Sequence, residues 1–240
     1  MNTLFIDCGI SGIAGDMSLA AFTEIGVDLS FVERKLQSVI KEEFSLSTKK
    51  VIKKGISSTQ LIIETEEEKH SHRHYTHIKK AIEESDLDMP EKETALKMFE
   101  VIAIAEAKIH NSTLEKVHFH EVGGVDSMID IIGSAIAFQT LNIEKVVSSP
   151  IAVGNGYIKM AHGFYPVPAP ATLEILKNIP LRYTDVQGEL TTPTGAAIIR
   201  TLANKFGNMP SMKVQRVGYG AGTKDFTGHP NVVRFVLSEQ

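Results

Sequence analysis

The chain alternates repeatedly between two hydrophobic periods. In TLFID, residues 3–7, a short apolar run ends at Asp7 and a glycine-rich turn, CGISGIAGD, the outline of a strand. Apolar positions then recur at helical spacing through MSLAAFTEIG, which Gly26 stops, and through SFVERKLQSVI. FSLSTKKVI and TQLIIETE alternate about Gly55 and predict paired strands. A histidine-rich stretch, KHSHRHYTHI at 69–78, leads into a predicted helix near 76–85, and Pro90 opens a longer one reaching about His110.

KVHFHEV alternates again, and Gly123-Gly124 turn it into an apolar helix over 125–141. VVSSPIAVGNGYIKM predicts two strands joined at Gly154-Asn155-Gly156. GFYPVPAPAT is a stiff, extended linker whose last proline begins the next helix, and LRYTDV is a strand. In LTTPTGAAIIRTLANKFG, Thr192 is the N-cap, Pro193 fills the first turn and Gly207 lies past the end. KVQRVGYGAGT and NVVRFVL are closing strands, with a turn expected in GYGAGTK. Helices and strands interleave throughout, so the fold class is α/β or α+β with mixed sheets. The 240 residues read as one region, with a candidate internal boundary near 66–75, where ETEEEK precedes the histidines.

Composition narrows the classes. A chain of this length can bury a core of its own, and 42% hydrophobic with 22% charged residues is ordinary for a globular protein. The net charge of −4 provides no basic stripe, which argues against a nucleic-acid partner. Cys8 is the single cysteine, so there is neither an internal disulfide nor a cysteine zinc cage. Asp7 interrupts the first apolar run, no basic flank precedes it, and no run of about 18 apolar residues follows. The expectation is a cytoplasmic protein with no membrane partner.

The chemistry gathers in two segments. His70, His72 and His74 share one side of an extended chain, while His70, His74 and His77 share one face of a helix, so either geometry brings three imidazoles together. A solvated polar loop is the plain alternative. In VHFHE, Val117 and Phe119 face a core while His118 and His120 face away, with Glu121 just beyond. Asp126 and Asp130, one turn apart on the next helix, repel each other unless a cation or a buried partner intervenes. They share a side with Gly133, Ser134 and Ala137, small residues that permit close approach; the alternative is a helix cap and an exposed charge. Imidazole and carboxylate donors suit nickel, zinc, manganese or cobalt. Two helix starts offer backbone N–H groups to an anion: the turn holding Ser11, Gly12 and Asp16, and TTPTG with Thr192 and Thr194. His162 sits between a strand and the proline-rich stretch. Cys8 reads as a buried thiol.

Taken together, SGIAGDM, HSHRH, VHFHEVGGVDSMIDIIG, AHGFYPVPAPAT, GELTTPTGAAI and HPNVVRFVL resemble the nickel insertion proteins of nickel-pincer cofactor synthesis, the LarC family, over residues 3–238. The family's start is usually one residue shorter, with a serine where Ala14 stands here. The resemblance implies a cyclometallase of the lyase class. It inserts nickel into a pyridinium mononucleotide bearing two thiocarboxylates, with CTP hydrolysed, for a client enzyme of the lactate racemase type. It also implies a C-terminal portion, outside this chain, that binds CTP with magnesium or manganese. On this reading nickel is held among His70, His72, His74, His118, His120, Glu121, Asp126 and Asp130. His118, His120 or Glu121 takes up the displaced ring proton, and Ser11, Gly12, Asp16, His162, Thr192 and Thr194 face the mononucleotide. A nickel-storing metallochaperone and a metal-dependent hydrolase on Asp126 and Asp130 are the competing functions. Homo-oligomerisation is left open.

Overall fold

The computed structural model describes residues 2–65, 73–119, 122–160 and 163–238. The chain opens with strand β1 (Thr3–Asp7) and helices α1 (Gly15–Glu24) and α2 (Leu29–Leu36). Strands β2 (Phe44–Lys53) and β3 (Ile56–Thr65) follow, paired antiparallel through Lys54 and Gly55. Both turn residues have positive φ, 49° and 85°, as a two-residue hairpin that matches strand twist requires. Next come β4 (Arg73–His74), α3 (Tyr75–Glu83), the 21-residue α4 (Met89–Ile109), β5 (His118–Phe119) and α5 (Val125–Thr140).

The second half departs from the sequence expectation at several places, among them GFYPVPAPAT, whose first four residues form a strand rather than a linker. VVSSPIAVGNGYIKM holds three strands, β6 (Lys145–Ser148), β7 (Ile151–Asn155) and β8 (Tyr157–Met160). Gly154-Asn155-Gly156 does not close a hairpin: β7 pairs in parallel with β10 (Leu181–Gln187), while β8 pairs with β9 (Gly163–Pro166). The backbone carbonyl of Gly188 occupies the space a Cβ would need at Gly154, so the glycine serves the β7–β10 contact. After β9, α6 (Pro170–Ile175) begins at the last proline of the run, as expected. Helix α7 (Pro193–Leu202) then ends before Gly207. Ala203 turns extended, the Asn204 side chain accepts the Val146 N–H at 2.7 Å, and β11 (Lys205–Phe206) joins the sheet.

With β12 (Arg216–Ala221) and β13 (Val232–Ser238), seven strands form one mixed sheet in the order β11-β6-β1-β13-β12-β3-β2. This is an α/β fold. Alternation along β1 and β13 sends Leu4, Ile6, Phe235 and Leu237 into the helical core, and Phe5 and Val236 to a small cluster on the opposite face. The main core takes in Leu61 of β3 together with Tyr75, Ile78 and Ile82 of α3. The alternating glycines of β12 are a helix-packing surface rather than a turn. The Met17 carbonyl of α1 fills the site of a Cβ at Gly220, and Gly218 lies under Ala21. Phe22 of α1 meets Phe235 edge to face, with ring centroids 4.9 Å apart. Lys35 of α2 binds Asp88 at 2.6 Å and Glu91 at 2.7 Å, fastening α2 to the start of α4. Among the described residues, no helix is long and apolar enough to cross a membrane.

Candidate metal and substrate site

Two segments forty-four residues apart in the sequence meet as β4 and β5. Arg73 pairs with Phe119 and His74 with His118, antiparallel. Phe119 is fully buried and Val117 nearly so, which turns His118 outward as the alternation in VHFHE predicts. The imidazoles of His74 and His118 lie against one another with centroids 3.6 Å apart, and His77, one turn into α3, stands 5.1 Å from His74. Arg73 holds the ribbon to the start of α5 by donating to the Gly123 carbonyl at 2.6 Å. Partial desolvation, then the neighbouring charges of His118 and His77, hold His74 below the usual imidazole pKa, which favours the neutral form that can bind a metal. Among the described residues, no three histidine, cysteine, aspartate or glutamate side chains are gathered closely enough to hold a metal ion. His70, His72, His120, Glu121 and His162 lie outside the described residues.

The carboxylates meet elsewhere than the pattern suggested. Helix α5 is buried on nearly all sides, and what approaches its small residues is the protein itself: Gly133 packs under Leu19 and Val32. A Cβ built on Gly15 would lie 2.5 Å from that of Asp130. The N-cap of α1, Ala14, has no capping side chain, and the N–H of Asp16 donates instead to Asp130. The group received by this helix start is therefore the Asp130 carboxyl, at a position where a helix N-terminus would favour negative charge. Burial, then the charges of Asp16 and Asp126, nonetheless push Asp130 well above the usual carboxylate pKa, and its Oδ1 is enclosed without a hydrogen-bond partner. Asp16 accepts the Met17 N–H at 2.8 Å; burial raises its pKa, and Asp126 adds to the rise while Lys224 opposes it. Asp126 is exposed and accepts the Ser127 N–H at 2.8 Å.

The other candidate anion site is also engaged internally. Thr192 caps α7 by accepting the Gly195 N–H at 3.2 Å and bonds the Thr194 hydroxyl at 2.8 Å. The Ile13 backbone lies where a side chain on Gly195 would project, and Thr191 and the Ala152 carbonyl crowd Gly12 in the same way. Ser11 is fully buried and donates to the Pro230 carbonyl. These residues join the first turn to α7 and to the loop before β13. Cys8 is buried beside Ser148, as the apolar setting of its strand end suggested.

One feature had no periodic signature. A cavity of about 720 Å³ lies between β10 and the loop Asp225–His229, with Arg182, Tyr183, Asp185, Gln187, Phe226 and His229 in its wall. The two halves stand some forty residues apart, and neither repeats a motif; an arginine beside an exposed tyrosine was the one local hint.

The family described as nickel insertion protein matches residues 4–240. A pyridinium-3,5-bisthiocarboxylic acid mononucleotide nickel insertion protein from Staphylococcus saprophyticus is 51% identical over 235 residues, covering 98% of this chain and 59% of the relative. Proteins of the same name from Desulfitobacterium hafniense and Geobacillus kaustophilus are 47% and 45% identical, covering all of this chain and 59% and 60% of their own lengths. The chain thus spans about three fifths of these relatives. No solved structure matches it. A match from Leu4 to the last residue, together with close to half of all positions shared over the whole chain, places the protein within the nickel insertion protein family.

Proposed function

We propose that this chain receives nickel on the imidazoles of His74 and His118 and presents it for insertion into a pyridinium-3,5-bisthiocarboxylic acid mononucleotide, the substrate named in its relatives. The observation that carries the reading is the cross-strand contact of the two rings, 3.6 Å between centroids and tilted by 46°. Neutral imidazole nitrogens bind a borderline divalent metal at about 2.0–2.1 Å, and rotation about χ1 and χ2 can turn two adjacent rings onto one ion. His77 is the next imidazole along the chain, its ring centroid 5.1 Å from that of His74, and His70, His72, His120 and Glu121 are the neighbouring donors in the sequence. An open, imidazole-rich site with few fixed ligands suits a metal that must be surrendered, whereas a closed thiolate cage would retain it.

The finer reading is cyclometallation. Nickel forms bonds to two sulfurs and one ring carbon, and the proton leaving that carbon passes to a base, for which His118, His120 and Glu121 are the candidates. CTP with magnesium or manganese, and the client racemase, belong to steps that need the remaining portion found in the longer relatives. The hydrolase alternative has less support, because Asp130 is directed at the first turn of α1. The test combines the chain with that C-terminal portion, nickel, CTP and the bisthiocarboxylate mononucleotide, and follows the nickel-containing product by mass spectrometry. Product is expected with the native chain and not with His74→Ala/His118→Ala; undiminished product from the double variant refutes the proposal.

A further inference from the structure

The wall of the cavity between β10 and the Asp225–His229 loop contains none of the residues proposed to hold the metal. Its composition is that of a ligand pocket: aromatic surface, a few convergent polar groups, and a volume of about 720 Å³, within the usual range for small-molecule sites. It is also built in advance. β10 is fixed by pairing with β7, and the opposite wall is pinned from below. Lys53 binds Asp225 at 2.7 Å and the Lys224 carbonyl at 3.3 Å, while Asn231 donates to the same carbonyl at 3.0 Å. Phe226 packs over Gly188, where any side chain would press on its ring.

Resting on the proposed function, we infer that this cavity binds the organic substrate, a mononucleotide with a cationic aromatic base, with its phosphate on Arg182 and its ring against Tyr183 and Phe226. Arg182 has one nitrogen tied to the Gly9 carbonyl at 2.8 Å, which orients the guanidinium and leaves its other N–H groups for a phosphate. A pyridinium ring is a delocalised cation, and aromatic faces attract it through their quadrupole. Tyr183 is 63% exposed, a large aromatic surface that a stacked ring would cover. Asp185 and Gln187 supply acceptors for ribose hydroxyls. In the same loop the Nε2 of His229, a residue of the cavity wall, is enclosed with no hydrogen-bond partner.

Calorimetric titration of the full chain with nicotinate mononucleotide, a phosphorylated pyridinium, tests the inference, with ribose 5-phosphate as the ring-free control. The native chain is expected to bind the pyridinium compound at least tenfold more tightly than the sugar phosphate. Tyr183→Ala and Arg182→Gln are each expected to weaken binding at least tenfold, with circular dichroism melting curves reporting on the fold. Because Tyr183 is a surface residue, its variant keeps the test valid even where Arg182→Gln unfolds. No binding by the native chain, equal affinity for ribose 5-phosphate, or native affinity in Tyr183→Ala would each overturn the inference. Nickel binding by the native chain is read separately: its absence would overturn the proposed function and leave the cavity result standing.

Discussion

Asp130 carries the most specific electrostatic prediction. Its carboxylate is pushed well above the usual pKa by burial and by the charges of Asp16 and Asp126, with one backbone N–H in compensation. A group whose pKa is higher folded than unfolded contributes stability that is complete below the unfolded value, near 4, and is lost as pH rises through the folded value. Asp130→Asn preserves shape and an acceptor oxygen for the Asp16 N–H but cannot ionise. Relative to the variant, the native chain should therefore lose about 1.4 kcal/mol per pH unit above pH 4, one proton's worth, until the folded pKa is passed and the difference levels off. The measurement is urea denaturation followed by circular dichroism at half-unit intervals from pH 3.5 to 8, for both proteins. The acidic groups held below their usual pKa, such as Glu24 and Glu42, are common to both and cancel in the difference. A stability difference that stays constant across the range would refute the reasoning, since it would mean that folding does not alter the ionisation of Asp130.

Three further outcomes follow from packing. Gly15→Ala forces a methyl to 2.5 Å from Asp130 and should cost about 2 kcal/mol, lowering Tm by roughly 4–8 °C in a thermal melt. Lys35→Met removes the clamp on Glu91, whose carboxylate is nearly buried; with only the Asp88 N–H left to it, the loss should be about 2 kcal/mol by urea denaturation, and Lys35→Arg should recover most of it. Cys8 is enclosed and burial raises its thiol pKa, so a thiol reagent should modify it in denaturant and leave it intact under native conditions.

Most elements were legible because local signals and tertiary environment agree. The Lys54-Gly55 turn, the Thr192 cap, the proline at the start of α6 and the outward turn of His118 each follow from residues within a few positions of one another. What was not legible depends on partners remote in sequence. Gly154-Asn155-Gly156 has the composition of a hairpin turn, yet β7 gains more by pairing with β10, and only the Gly188 carbonyl reveals why Gly154 must lack a side chain. The small face of α5 reads as room for a ligand, and Leu19 of α1 and Val32 of α2 fill it at Gly133. The glycines at 218 and 220 look like a turn until Met17 and Ala21 are seen lying across them. For the site, the sequence predicted that histidines from two distant segments would meet, and β4 and β5 bring His74 to His118. The second wall of the substrate cavity could not be read in advance, because neither Arg182-Tyr183 nor Phe226–His229 forms a pattern by itself.

The central claim is that His74 and His118 act together on one nickel ion. Equilibrium dialysis of nickel against the untagged chain, for the native protein, each alanine variant and the double variant, tests it most directly. The account predicts that either substitution alone weakens binding at least tenfold and that the double variant is little worse than the singles, as for two ligands of one ion. Native nickel affinity in the His74→Ala/His118→Ala chain would contradict it.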